Sequence, residues 1–258
     1  MSLKSGDTAL VTGASSGIGE ATVRALRHRD VTVIAAARRV DRLEALAAET
    51  GAVPFELDVR DRDAVAALSD QKVDLLVNNA GLGRAMGSFI EADISDIERT
   101  LDTNVTSLVH LTRAVLPGMI DQGRGHIVNI SSTAALHPIP TALYGASKGA
   151  VHKFCKDLRL ELKGLGVRVS EIQPGRVETE FYDVAVDDPT RRSELADLPI
   201  TQLSPSDVAD AILYVADAPW HVNVSQLEIV PQEQVYGCLL YTSPSPRDRT
   251  RSRMPSSA

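Results

Sequence analysis

The stretch Gly13-Ala14-Ser15-Ser16-Gly17-Ile18-Gly19 restricts this chain more than any other. It follows residues 7–12 (DTALVT), a short apolar run that reads as a buried strand. It precedes EATVRALRHR, where Ala21, Ala25 and Leu26 fall on one helical face. Strand, glycine turn and helix in succession make a phosphate-binding context. Gly13 permits the tight turn, Gly17 lets backbone approach a diphosphate, and Gly19 allows close helix–strand packing. The free N–H groups and the dipole of the helix start favour an anion, with Ser15, Ser16 and Ile18 around it.

The same alternation continues along the chain. Strands are expected at VTVIAAA (31–37), AVPFEL (52–57), VDLLV (73–77), HIVNI (126–130), VRVSEI (167–172) and SQLEIV (225–230). Helical patterns lie between them, at 40–50, from near Asp61, at 93–103 and 104–121, from Tyr144 to about Gly164, and from Ser206 to Asp217. Regular β-α alternation implies a doubly wound, parallel, seven-stranded sheet in three α/β/α layers, a Rossmann fold. We expect one domain over residues 1–237. Residues 176–205 carry mixed charge, Pro189 and Pro199, and no clear period, so they are expected to form a lid.

In such a fold the end of the second strand faces the adenosine ribose. Here it ends in Arg38-Arg39 rather than an acidic residue, and guanidinium suits a 2′-phosphate. This points to NADP(H), with Ser15 as a further partner. Asp58, with Val59 after it, closes the third strand; its carboxylate is placed to meet an adenine amino group or to cap the next helix. After the fourth strand, Asn78 and Asn79 can satisfy backbone groups of adjacent strand ends, while Ala80 and Gly81 leave room for a ribose.

Tyr144 and Lys148 stand four residues apart, on one face of a helix. A free phenol titrates near ~10 and is a poor proton carrier at neutral pH. A fixed ammonium nearby is expected to lower that value and allow proton exchange with a carbonyl or alcohol oxygen. His152 continues this face by one turn and reads as a packed or interface histidine.

Taken together, TGASSGIG (12–19), NNAG (78–81), Asn104 within DTNV, ISS (130–132), YGASK (144–148) and PGRVET (174–179) resemble the short-chain dehydrogenase/reductase family over about residues 5–235. The resemblance implies that Tyr144 is the acid/base and that Lys148 lowers its pKa and holds the nicotinamide ribose. It implies that a serine binds the substrate oxygen and that Asn104 anchors a proton-relaying water. Pro174, Gly175, Val177 and Thr179 would complete the cofactor site. The family's usual spacing to the tyrosine selects Ser131, whereas matching the strand end selects Ser132 with a shorter loop. A strand end fixes position more firmly than a loop, which favours Ser132. The sequence is most similar to the NADP-preferring branch that acts on small carbonyls and hydroxy acids. A homotetramer or homodimer joined through the Tyr144 helix is implied. The class from which it must be distinguished is a catalytically silent, NADP(H)-binding regulator or scaffold of the same fold.

Composition narrows the alternatives. A net charge of −7 argues against nucleic acid as a partner. No apolar run has the length of a membrane span, and the first residues lack a signal-peptide core. Cys155 and Cys238 form no CxxC pair, so a reducing cytoplasm is the expected compartment. The six histidines form no ligand motif, so no metal is expected. From Cys238 on, CLLYTSPSPRD resembles a translated sequencing-library adapter. Residues 238–258 are therefore expected to be a non-native, unpacked tail.

Overall fold

The computed structural model describes residues 3–84, 86–186, 188–196 and 200–234. The expected tail lies outside the described residues. Seven strands form one parallel sheet in the order β3-β2-β1-β4-β5-β6-β7. They are β1 (Thr8–Thr12), β2 (Thr32–Ala37), β3 (Val53–Glu56), β4 (Leu75–Asn78), β5 (Gly125–Ile130), β6 (Val167–Pro174) and β7 (Gln226–Ile229). The order reverses between β1 and β4, and ligands of open α/β sheets bind in the crevice at such a switch point.

Side chains alternate across the strands and feed two cores. Ala9 and Val11 of β1, with Val33, Ala35 and Ala37 of β2, face one layer. That layer holds α1 (Gly17–Arg27), α2 (Val40–Thr50) and α9 (Pro205–Asp217), through Val23, Leu26, Leu43, Leu46 and Ile212. Leu10, Ile34 and Ala36 face the other. It is built from α3 (Arg62–Ala66), α5 (Ser107–Asp121) and α6 (Ala142–Glu161), through Val65, Leu111, Val115, Val151 and Leu158. Strands buried on both faces read as continuous apolar runs, as these do.

Local chemistry sets several element ends. Ser204 and Asp207 form a reciprocal capping box at the start of α9. Asp61, not Asp58, caps α3, accepting from the Asp63 and Ala64 N–H groups. The region between α4 (Ile94–Leu101) and α5 is a π turn, Asp102–Thr106, with Asn104 buried at its centre. Such wide turns occur mostly at functional sites.

The lid expectation needs correction in one respect. It contains two short helices, α7 (Phe181–Ala185) and α8 (Pro189–Ala196). Five to eight residues are too few to display a helical period, and single helices of that length owe their stability to tertiary contacts. Among the described residues, no helix is long and apolar enough to cross a membrane.

Candidate active site

The C-terminal ends of the strands open onto a cleft of about 700 Å³. Its glycine turn is closely fitted. A Cβ at Gly13, whose φ is +66°, would lie 2.8 Å from Asn79 Nδ2, and one at Gly19 would overlap the Gly13 carbonyl. Asn79 holds the turn against β1, donating from Nδ2 to the Thr12 carbonyl at 2.9 Å. The Thr12 hydroxyl accepts from the Asn79 and Ala80 N–H groups, each at 3.1 Å. Asn78 instead donates to Asn129 and Thr112. Ser16 begins α1 without capping its N–H groups by its own side chain. The helix start therefore keeps donors for an anion.

Arginine surrounds the end of β2. Arg39 donates to Ser15 Oγ at 3.0 Å and Ser16 Oγ at 2.6 Å, and pairs with Glu180 at 2.8 Å. Arg42 reaches the same Glu180 carboxylate at 2.7 Å, and the two guanidiniums hold it below the usual carboxylate range. Arg38 is exposed beside the cleft and makes no hydrogen bond or ion pair among the described residues. Asp58 accepts from both the backbone and the guanidinium of Arg60, which lowers its pKa. Arg60 thus lines the cleft beside Asp58 and Val59. Neither Glu180, Arg42 nor Arg60 was marked by a sequence motif, because each acts through a partner distant in the chain or through a local turn.

On the opposite side stand Ser132, Tyr144 and Lys148. The two serines after β5 point differently, as strand alternation requires. Ser131 is buried and donates to the Lys148 backbone carbonyl at 3.3 Å. The Ser132 hydroxyl lies beside the Tyr144 phenol, where it favours the ionised form, and accepts from Ala134 N–H. Lys148 Nζ lies 5.8 Å from the Tyr144 ring centroid and donates to the Ile130 carbonyl at 3.0 Å. Asn104 stands just behind this face. It donates to the Leu82 carbonyl at 2.7 Å and to Ser147 Oγ at 3.0 Å, and accepts from Leu82 N–H at 2.7 Å.

The expected lowering of the tyrosine pKa by lysine is not what this geometry produces. Burial is the dominant cause, and it pushes the Tyr144 phenol well above its ordinary value. Burial also pushes Lys148 down to about 8, against the opposing charge of Glu171. Desolvation sets the direction for the phenol, while the ammonium donates to the Ile130 carbonyl. A neutral phenol is an acid kept loaded at neutral pH.

Of the residues singled out in the sequence for cofactor or catalysis, Gly19 and Asn104 do not line the cleft; the others do. In the lid, Phe181, Tyr182, Val184 and Val186 line it, whereas Asp183, Asp188 and Arg192 do not. Asp187 and the Arg191 side chain lie outside the described residues. Arg84 and Met86 reach the cleft from the loop after β4. His152 is packed, its Nδ1 at 2.8 Å from buried Glu171. Cys155 is a buried free thiol.

Known proteins show which family this chain belongs to. Residues 7–189 match the family described as short chain dehydrogenase, and the chain belongs to that family. It is an oxidoreductase by that membership. It is 42% identical over 240 residues to the NADP-dependent 3-hydroxy acid dehydrogenase YdfG of Escherichia coli O157:H7, covering 89% of this chain and 97% of that one. It is also 42% identical over 242 residues to the sulfoacetaldehyde reductase of Chromohalobacter salexigens, covering 89% and 96%. Among solved structures, the closed form of a serine dehydrogenase complexed with NADP+ matches with a TM-score of 0.85 and 40% identity, over 90% of this chain and 98% of that one.

Proposed function

We propose that this protein is an NADP(H)-dependent oxidoreductase that moves a hydride between nicotinamide and a small carbonyl or alcohol, small hydroxy acids included. The observation that carries the reading is one cleft holding a glycine turn with an open helix start, arginines at the β2 end, and Ser132 beside Tyr144. A dinucleotide fits these residues. Gly13, Gly17 and the start of α1 take its diphosphate, Arg38 and Arg39 its 2′-phosphate, and Ala80 and Gly81 leave room for a ribose. When bound, it supplies or accepts the hydride.

The chain's own residues do the rest. Ser132 and Tyr144 hold the substrate oxygen. The phenol, half-buried in the cleft wall and held neutral by desolvation, gives its proton as negative charge develops on that oxygen, and the phenolate takes one back in the reverse direction. Lys148 adds positive charge near that oxygen and binds ribose hydroxyls from beside Gly81. Asn104, fixed by Leu82 and Ser147, is placed to hold the water that returns protons from solvent. We further propose a homotetramer or homodimer joined through α6, where Leu160 is exposed, and a cytoplasmic location.

The test is NADPH oxidation across a panel of ketones, aldehydes and oxo acids, and NADP+ reduction with hydroxy acids. Tight NADPH binding without turnover on any of them would instead identify a silent regulator. Arg38→Ala is expected to weaken NADPH binding roughly ten- to a hundredfold, the scale of one hydrogen-bonded charge, and to leave NADH binding nearly unchanged. Fluorescence titration with both cofactors reads this directly.

A pH dependence follows from Lys148. Its charged form is the low-pH form, so the loss falls on the alkaline side. For reduction, kcat/KM is expected to hold through neutral pH and to decline as pH rises through about 8. Lys148→Arg keeps a cation beyond that range and should move the decline upward, whatever its effect on the plateau.

A further inference from the structure

The lid brings one aromatic ring directly against the candidate acid. The Phe181 ring centroid lies 5.5 Å from that of Tyr144, tilted by 56°. Tyr182 stands edge-on to Phe181 at 5.4 Å. Beyond the ring is Gly83, in the loop after β4. A methyl group at Gly83 would run into Phe181 Cζ and lie 2.7 Å from Met86 Sδ. Phe181 therefore fills the gap between Tyr144 and that loop, and any Cβ at Gly83 would collide with it.

The ring is anchored at both ends of its helix. Glu180, just before it, pairs with Arg39 and Arg42. The Val184 carbonyl, just after it, accepts from Arg84 Nη1 at 2.8 Å, and Arg84 also pairs with Asp96 at 3.1 Å. These contacts hold the α7 backbone in place, while the ring itself is held by its packing against Tyr144 and Gly83.

We propose that Phe181, seated on Gly83, is the residue that sets substrate size in this enzyme. It confines the carbonyl substrate to compounds whose two substituents are short, unbranched chains or small polar groups, and it excludes aryl and branched ketones. The proposal rests on the oxidoreductase reading and assigns the pocket wall of that same site. A phenyl substituent on a carbonyl held at Ser132 and Tyr144 would meet the Phe181 ring, which lines the cleft against Tyr144. A clash built against the larger substrate is one of the two routes to discrimination, and the packed ring supplies it.

The experiment compares wild type with Phe181→Ala, using NADPH with a small aliphatic oxo acid and with an aryl methyl ketone. The ratio of the two kcat/KM values should shift toward the aryl ketone by about tenfold or more in the variant, the scale of a changed apolar pocket. Phe181→Leu serves the same comparison if the alanine variant fails to fold. Gly83→Ala should raise KM for the small substrate while NADPH affinity holds. Adding Phe181→Ala to it should recover that KM, since the clash then has no partner. Turnover by wild type with an unchanged size preference in the Phe181 variants overturns this proposal alone. So does a Gly83→Ala defect that Phe181→Ala does not relieve. A wild type without turnover on any carbonyl overturns the underlying reading, and the proposal with it.

Discussion

Replacing Tyr144 with phenylalanine is expected to lower turnover by roughly 10²–10⁴-fold, the range of a positioned general acid. NADPH affinity should change little. The substitution is close to a single-atom deletion. Phenylalanine keeps the ring that meets Phe181 at 5.5 Å and that lies 5.8 Å from Lys148 Nζ. It loses only the hydroxyl beside Ser132. The pKa direction sharpens the expectation. Desolvation holds the phenol neutral beside Ser132, and the nearby Lys148 ammonium is tied to the Ile130 carbonyl. Steady-state kinetics and a fluorescence titration on the same preparation separate chemistry from binding. A variant that retains near-normal turnover removes Tyr144 from the reaction.

Some of this site was legible in the sequence because its signals are local. Gly13, Gly17 and Gly19 report a backbone that must pass close to itself, and the φ values of +66° at Gly13 and +54° at Gly17 agree. The choice of Ser132 over Ser131 followed from matching the strand end rather than the loop, and the two hydroxyls point to different partners. Of the two roles open to Asp58, capping falls instead to Asp61, which lies where the α3 N–H groups point. What stayed hidden depends on distance. Glu180 finds Arg39 and Arg42 across the cleft, 141 and 138 residues away. Nothing in TEFYD states that pairing. The sign of the Tyr144 shift was hidden for the same reason. Two side chains four apart on a helix suggest a charge effect, but the lid that buries them comes from a later part of the chain. Desolvation is a property of the assembled cleft and carries no local signature.

Gly19→Ala should damage both the stability of this chain and its cofactor binding. The new Cβ would overlap the Gly13 carbonyl and lie 2.6 Å from Asn79 Nδ2. Neither neighbour can yield. The carbonyl belongs to the turn itself, and the amide is committed to Thr12 at 2.9 Å. Overpacking of this kind costs about 1–3 kcal/mol. It also displaces the start of α1 from β1, which moves the N–H groups that would receive a diphosphate. Denaturant melts should show that loss of stability, and the NADPH dissociation constant should rise more than tenfold, since a shift of 1.4 kcal/mol is already a decade. Gly87→Ala is the matched control. It lies in the loop following β4, with nothing within 4 Å of its would-be Cβ and no left-handed φ to strain. It should leave both measurements where they are. Equal effects of the two substitutions would mean that the glycine turn tolerates a side chain, and the diphosphate would then need another seat in the cleft.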